Sequence, residues 1–255
     1  MDTGVKTPLI DFFRRGDVAH DVRLQAAQGG LAARAHEQLA LLALLSADPE
    51  PDVAEAANAT LGILPRASLS AFLARTDVSP EMREFFALRG VEPAEVPAQE
   101  ADQPIIDAAP EPEIADDEDD EKSAMQRLAE LNVPQKMSRA TKGTREERAI
   151  LIRDPNKLIA VAVLSSPKLT DSEVEAIAKM SSVSEEILRI IATNRNWMKN
   201  YVVASALARN PKTPLAVSMN LLNRLNEKDL RTLSTNRNVP EVLRASARKK
   251  FVMDK

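Results

Sequence analysis

Cysteine is absent from the 255 residues. That excludes a disulfide, a thiolate nucleophile and any thiolate-ligated zinc or iron–sulfur centre. Histidine is scarce: His20 and His36 have no HExxH spacing and read as ordinary, partly exposed side chains. Aromatics make up 3% and glycine only 7 residues, whereas Ala, Leu, Glu, Arg and Lys abound, a balance that favours helices over strands. No apolar run approaches the ~18 residues of a membrane span. The opening stretch MDTGVKTPLIDFFRR lacks a basic start followed by an apolar core, so a cytoplasmic protein without a membrane segment is expected.

The signatures of enzymes are missing as well. ATKGTREE, from Ala140, contains a KGT triplet without the strand or spacing of a phosphate-binding loop, and a helix cap explains it better. The run DDEDDE lacks the turn glycine and alternating ligands of a calcium loop. No carboxylate pair or nucleophile stands out. The reading assigns no catalytic, cofactor-binding or metal-ligating residue, and no enzyme activity.

What is present is a strong segregation of charge. Residues 1–91 carry a net −3, residues 92–121 carry −13 with no basic residue, and residues 122–255 carry +12, together the formal −4. The middle stretch EPAEVPAQEADQPIIDAAPEPEIADDEDDE holds five prolines and no helical or strand period. Self-repulsion and prolines favour an extended chain with too little apolar surface to offset the entropy of folding. The expected organisation is an N-terminal helical lobe over 1–91, a disordered acidic linker over 92–122 and a basic lobe over 123–255. The linker is either a solvated spacer or an acidic arm lying on a basic surface, with Ile105 and Ile106 as its anchors.

Beyond the linker, short helices are predicted at 123–131, 134–141, 145–153, 156–165, 171–181, 184–193, 197–209, 214–225, 227–234 and 240–251. Thr144 with Glu147 and Thr170 with Glu173 have capping-box spacing, and Pro155, Pro167, Pro211, Pro214 and Pro240 fall between apolar runs. Inside this series one phrase is written twice. EEILRIIATNRN from Glu185 and EKDLRTLSTNRN from Glu227 match at seven of twelve positions, 42 residues apart. A period of about 40 residues within unbroken short helices is the mark of stacked helical hairpins. The N-terminal stretch LALLALLSADPEPDVAEAANATLGILP has the same helix, turn, helix form.

The phrases LARNPKTPLAV, LSTNRNVPEVL and LARTDVSPEM resemble the helix-turn phrases of HEAT-like and leucine-rich-repeat-variant α-solenoid proteins, including bacterial ones. The resemblance covers both lobes and omits the linker. It implies an all-α fold, an α-solenoid of stacked hairpins in two lobes. Some leucine-rich-repeat-variant proteins are associated with a Cys-ligated iron–sulfur cluster, and this chain departs from them there.

The residues singled out for binding are basic. Between Ile187 and Asn226 there is no acidic residue, while Arg189, Arg195, Lys199, Arg209, Lys212 and Arg224 are present and Arg237 follows in the second TNRN. Asn194 and Asn236 are expected to end helices, since asparagine tolerates left-handed backbone. Arg189, Arg195, Lys199, Arg209, Lys212 and Arg237 are the candidate partner- or anion-binding set, suited to carboxylate or phosphate. Trp197 and Tyr201, four apart on one predicted helix, fill an interhelical groove or else stack bases. The expected function is a non-enzymatic scaffold or adaptor binding a protein partner, acidic in character. The alternative is a nucleic-acid-binding module with the acidic linker as internal competitor.

Overall fold

The computed structural model describes residues 3–97, 102–106 and 121–253. Among them are sixteen α-helices and no strand. The all-α expectation therefore holds. Of the acidic segment, residues 98–101 and 107–120 lie outside the described residues, as does most of the expected disordered linker and its proposed role as competitor.

The chain divides into two compact units, one of residues 1–151 with 156–168 and one of residues 152–155 with 169–255. In the first unit α1 (Pro8–Arg15), α2 (His20–Ala27), α3 (Ala35–Leu45), α4 (Pro51–Ile63), α5 (Arg66–Leu73) and α6 (Pro80–Ala87) precede the acidic segment. After it come α7 (Glu121–Glu130), α8 (Val133–Lys142), α9 (Arg145–Leu151) and α10 (Lys157–Leu164).

Two helices form the centre of this unit because their sequences are apolar on nearly every face. In α10, KLIAVAVL, every residue from Leu158 to Leu164 is buried, and in α3 burial runs from Glu37 through Ala43. A helix apolar all round must be surrounded. Helix α1 packs against both, α2 and α4 cover α3, and α8 and α9 cover α10. Each fully buried Leu contributes about 1.5–3 kcal/mol, so these two helices anchor the unit's stability.

Caps fix where the helices begin. Thr7 Oγ1 accepts the Ile10 N–H ahead of α1, and Gly16, at φ 77°, ends that helix in the left-handed region. Thr144 N–H donates to Glu147 Oε2 at 2.8 Å while Glu147 N–H donates to Thr144 Oγ1 at 3.3 Å, the reciprocal box predicted from spacing. The KGT triplet is thereby the end of α8 and the cap of α9.

The second unit contains α11 (Asp171–Lys179), α12 (Glu185–Thr193), α13 (Tyr201–Arg209), α14 (Leu215–Leu221), α15 (Glu227–Thr235) and α16 (Glu241–Met253). Thr170 and Glu173 form a second capping box before α11. Helix α12 buries Ile187, Leu188 and Ile191 while Glu185 and Arg189 face solvent. Helix α13 packs against α11, α12, α14 and α15, and α16 against α14 and α15. Two predicted helices are shorter than expected. The stretch 197–209 is a 3-10 turn, Trp197–Lys199, followed by α13, because Asn200 takes extended backbone (φ −75°, ψ 116°) and its Oδ1 caps Val202 N–H. The stretch 214–225 gives α14 and then a 3-10 turn, Leu222–Arg224.

Candidate interaction surfaces

The doubled TNRN builds the same turn twice. Asn194 ends α12 at φ −78°, ψ 110°, and Asn236 ends α15 at φ −73°, ψ 107°. Both are extended, which corrects the left-handed expectation. The cap is the side chain: Asn194 Oδ1 accepts the N–H groups of Asn196 (3.0 Å) and Trp197 (3.3 Å), and Asn236 Oδ1 accepts that of Asn238 (3.0 Å). Asn210 ends α13 with φ −77°, ψ 123°, and its Oδ1 accepts the Lys212 N–H at 3.0 Å. Three helices thus end in one local device, an asparagine that folds its carboxamide back onto the next turn.

Asn210 goes further. It is 4% exposed, and its Nδ2 donates to the carbonyls of Ala178 (2.8 Å) and Met180 (3.0 Å), where α11 ends. It therefore joins two helix ends.

The six basic candidates divide according to what they already contact. Arg195, Lys212 and Arg237 are exposed in the turns after α12, α13 and α15, and Lys199 is exposed at the end of the 3-10 turn, with Nζ 3.4 Å from Asn196 Oδ1. No carboxylate pairs with these four among the described residues. Arg189 donates to Glu185 Oε1 at 2.7 Å along the exposed face of α12. Arg209 donates through Nε to Ser205 O (3.2 Å) and through Nη2 to Ser205 Oγ (2.7 Å), with Nη1 3.9 Å from Asp229.

Asp229 is the hub of that network. It accepts from Ser205 Oγ at 3.1 Å and from the Tyr201 hydroxyl, which also accepts the Asn226 N–H at 3.1 Å. Burial, together with the Asp229 carboxylate, holds the Tyr201 phenol above its ordinary range. Trp197 and Tyr201 do not share a helix. Trp197 is half-buried in the 3-10 turn, and the Tyr201 hydroxyl ties α13 to the start of α15.

A second polar constellation lies in the first unit, on α3. Arg34 precedes this helix without capping it, and Asp102 supplies the acceptor instead: its Oδ1 takes the backbone N–H of His36 at 3.3 Å and stands 3.0 Å from His36 Nδ1. The His36 ring meets Phe72 edge-on at 4.7 Å, and its Nε2 is 3.7 Å from Asp77. Burial pushes the Asp102 carboxyl up, but the His36 ring and N–H outweigh it, leaving Asp102 below the usual range.

Two residues after His36, the buried Gln38 donates through Nε2 to Gly29 O (3.0 Å) and Ile106 O (2.7 Å) and accepts through Oε1 from the N–H groups of Ile105 (2.8 Å) and Ile106 (3.1 Å). The two isoleucines expected to anchor an acidic arm are held here by their backbone, with half-buried side chains. Nothing in the sequence pointed to Gln38. It is the last of three polar residues, after His36 and Glu37, before the apolar run from Leu39, and its partners lie up to 68 residues away.

Two further groups were also not foreseen. His20 Nε2 lies 2.7 Å from Asp52 and 3.3 Å from Glu50 on the surface, while Arg23 pairs with Asp48 and with the other oxygen of Glu50, both at 2.5 Å. Each of His20, Glu50 and Asp52 offers one ligand atom for a cation, with Arg23 competing for Glu50. Glu37 is 3% exposed, accepts from Ser165 Oγ at 3.3 Å, and has no partner for Oε2. Burial pushes its carboxyl up.

No helix among the described residues is long and apolar enough to cross a membrane. The chain matches no family model, and no curated protein or solved structure is significantly similar to it.

Proposed function

We propose that the protein is a cytoplasmic, non-enzymatic scaffold of the HEAT-like α-solenoid type. Its second unit is a short basic solenoid whose turns bind an acidic protein partner. The observation that carries this reading is the repeated asparagine-capped turn, which leaves Arg195, Lys212 and Arg237 exposed and without a carboxylate partner among the described residues, with Lys199 close in sequence. Guanidinium and ammonium groups at successive helix ends suit carboxylates, and helix C-termini add no positive potential of their own. The cations must then act as a set.

The test uses the full chain with an acidic polypeptide, poly-glutamate, and with duplex DNA of matched charge, each titrated from ~50 to 200 mM salt. Poly-glutamate binding that R195A/R237A weakens about tenfold or more supports the reading. Duplex DNA bound more tightly than poly-glutamate, with a steep salt slope that the same substitutions flatten, would replace it by nucleic-acid binding. Binding of neither polyanion at low salt would end both.

A further inference from the structure

The Gln38 carboxamide holds a segment of the chain's own backbone. The segment Asp102–Ile106 is read in two places: a carboxylate at the start of α3, and two N–H groups and a carbonyl on the Gln38 carboxamide. Apart from Asp102, every hydrogen bond is to main chain. The Ile105 and Ile106 side chains are only half-buried, so the polar contacts carry much of the attachment.

We propose that the first turns of α3 are a docking station for a segment of the pattern Asp-x-x-Ile-Ile that bends at its two isoleucines, so that both of their N–H groups reach one acceptor. Residues 102–106 are its resident occupant in cis, and a partner protein's segment of the same chemistry takes their place. Main-chain recognition transfers to any chain that presents an acidic group three residues before two non-proline residues with free N–H groups. Pro104 favours extended backbone around itself and leaves the N–H of Ile105 available. The station's own side chains have partners within the first unit. Phe72 and Asp77 hold the His36 ring, and Gly29 O fixes the Gln38 amide from behind.

Exchange is favoured over simple opening. Gln38 is 1% exposed and all four of its hydrogen-bonding positions are filled. Departure of residues 102–106 leaves it only the bond to Gly29 and strips the His36 N–H of its acceptor. A buried amide so stranded favours an incoming segment over a vacant site. This surface lies in the first unit and is independent of the basic turns of the second.

The experiment uses the full chain and a labelled nonapeptide with the sequence of residues 100–108. Binding is measured to the native chain and to a full-length variant in which the resident segment is disabled by D102A and I106P. The peptide is expected to bind the variant at least about tenfold more tightly than the native chain. Adding Q38M to that variant should abolish binding. Should Q38M impair folding, the same point is made with altered peptides, one lacking the Asp and one with proline at the second Ile, neither of which should bind. In the native chain, saturating peptide should accelerate amide exchange at Ile105 and Ile106. Equal affinity for native chain and variant, binding that survives Q38M or the altered peptides, or unchanged exchange at saturation would each overturn the proposal.

Discussion

The guanidinium of Arg209 stands 3.9 Å from the carboxylate of Asp229, and Ser205 Oγ bonds to both residues. A cation whose field already falls on a nearby carboxylate attracts a second anion less than an unpaired one. In poly-glutamate binding, Arg209→Ala should therefore change affinity no more than about twofold, whereas Arg195→Ala and Arg237→Ala together reduce it about tenfold or more. Asp229→Asn should raise it. Titrations at ~50 mM salt decide the matter, and a loss for Arg209→Ala equal to that of the paired substitution would remove Asp229 from the account.

Glu37 sets a pH dependence of stability. Burial raises its folded-state pKa, against the Thr7 and Ser165 hydroxyls and the charge of Arg34, so the native chain keeps a proton that the unfolded chain releases. Stability then falls as pH rises above the ordinary value of 4.5. Glu37→Gln removes the penalty. The variant should be more stable than the parent at neutral pH, and the difference should vanish towards ~pH 3, where both states hold the proton. Urea unfolding at several pH values measures this. A Glu37→Gln chain less stable at neutral pH would mean that the native carboxyl is charged and paired.

The three asparagine caps should differ in weight. Asn210 is buried and bonds to two carbonyls of a neighbouring helix end as well as to its own turn, so Asn210→Ala should cost about 2–3 kcal/mol. Asn236 caps only its own exposed turn, and Asn236→Ala should cost ~1 kcal/mol or less. Thermal unfolding of the two variants side by side tests the order.

Much of this was legible in the sequence. The capping boxes at Thr144 and Thr170 and most helix positions follow from local chemistry: a hydroxyl, a glutamate three residues later and an apolar period. The doubled TNRN was readable as punctuation because its bonds stay within four residues. What escaped depends on distance. Gln38 and Ile105 are separated by 67 positions, and Tyr201 and Asp229 by 28, so no local pattern announces either pair. Asn200 broke an expected helix for the opposite reason: its side chain offered the backbone a local alternative that apolar periodicity does not register.

Two glycines give opposite expectations. A Cβ on Gly143 would collide with the Arg139 carbonyl oxygen and with Glu147 Oε2, so Gly143→Ala must displace backbone and the adjoining cap. Loss of about 1–3 kcal/mol is expected. Gly62 lies near the end of α4 with nothing within 4 Å of such an atom, and Gly62→Ala should gain about 0.5–1 kcal/mol. Chemical denaturation of both variants checks the signs.

The capping of α3 by Asp102 also bears on how the first unit folds. The carboxylate that closes the helix's first turn sits 66 positions downstream, so that turn gains its acceptor only when a long loop has closed. Closure entropy grows slowly with loop length, which makes the arrangement affordable but late. During synthesis, α3 emerges before Asp102, and its first turn lacks this acceptor until the loop closes. A chain cut after residue 97 would contain all of α3 and still lack the group that finishes it. Asp102 thus acts as a fastener sewn on after the garment, and deleting residues between α6 and Asp102 is expected to loosen the core helix.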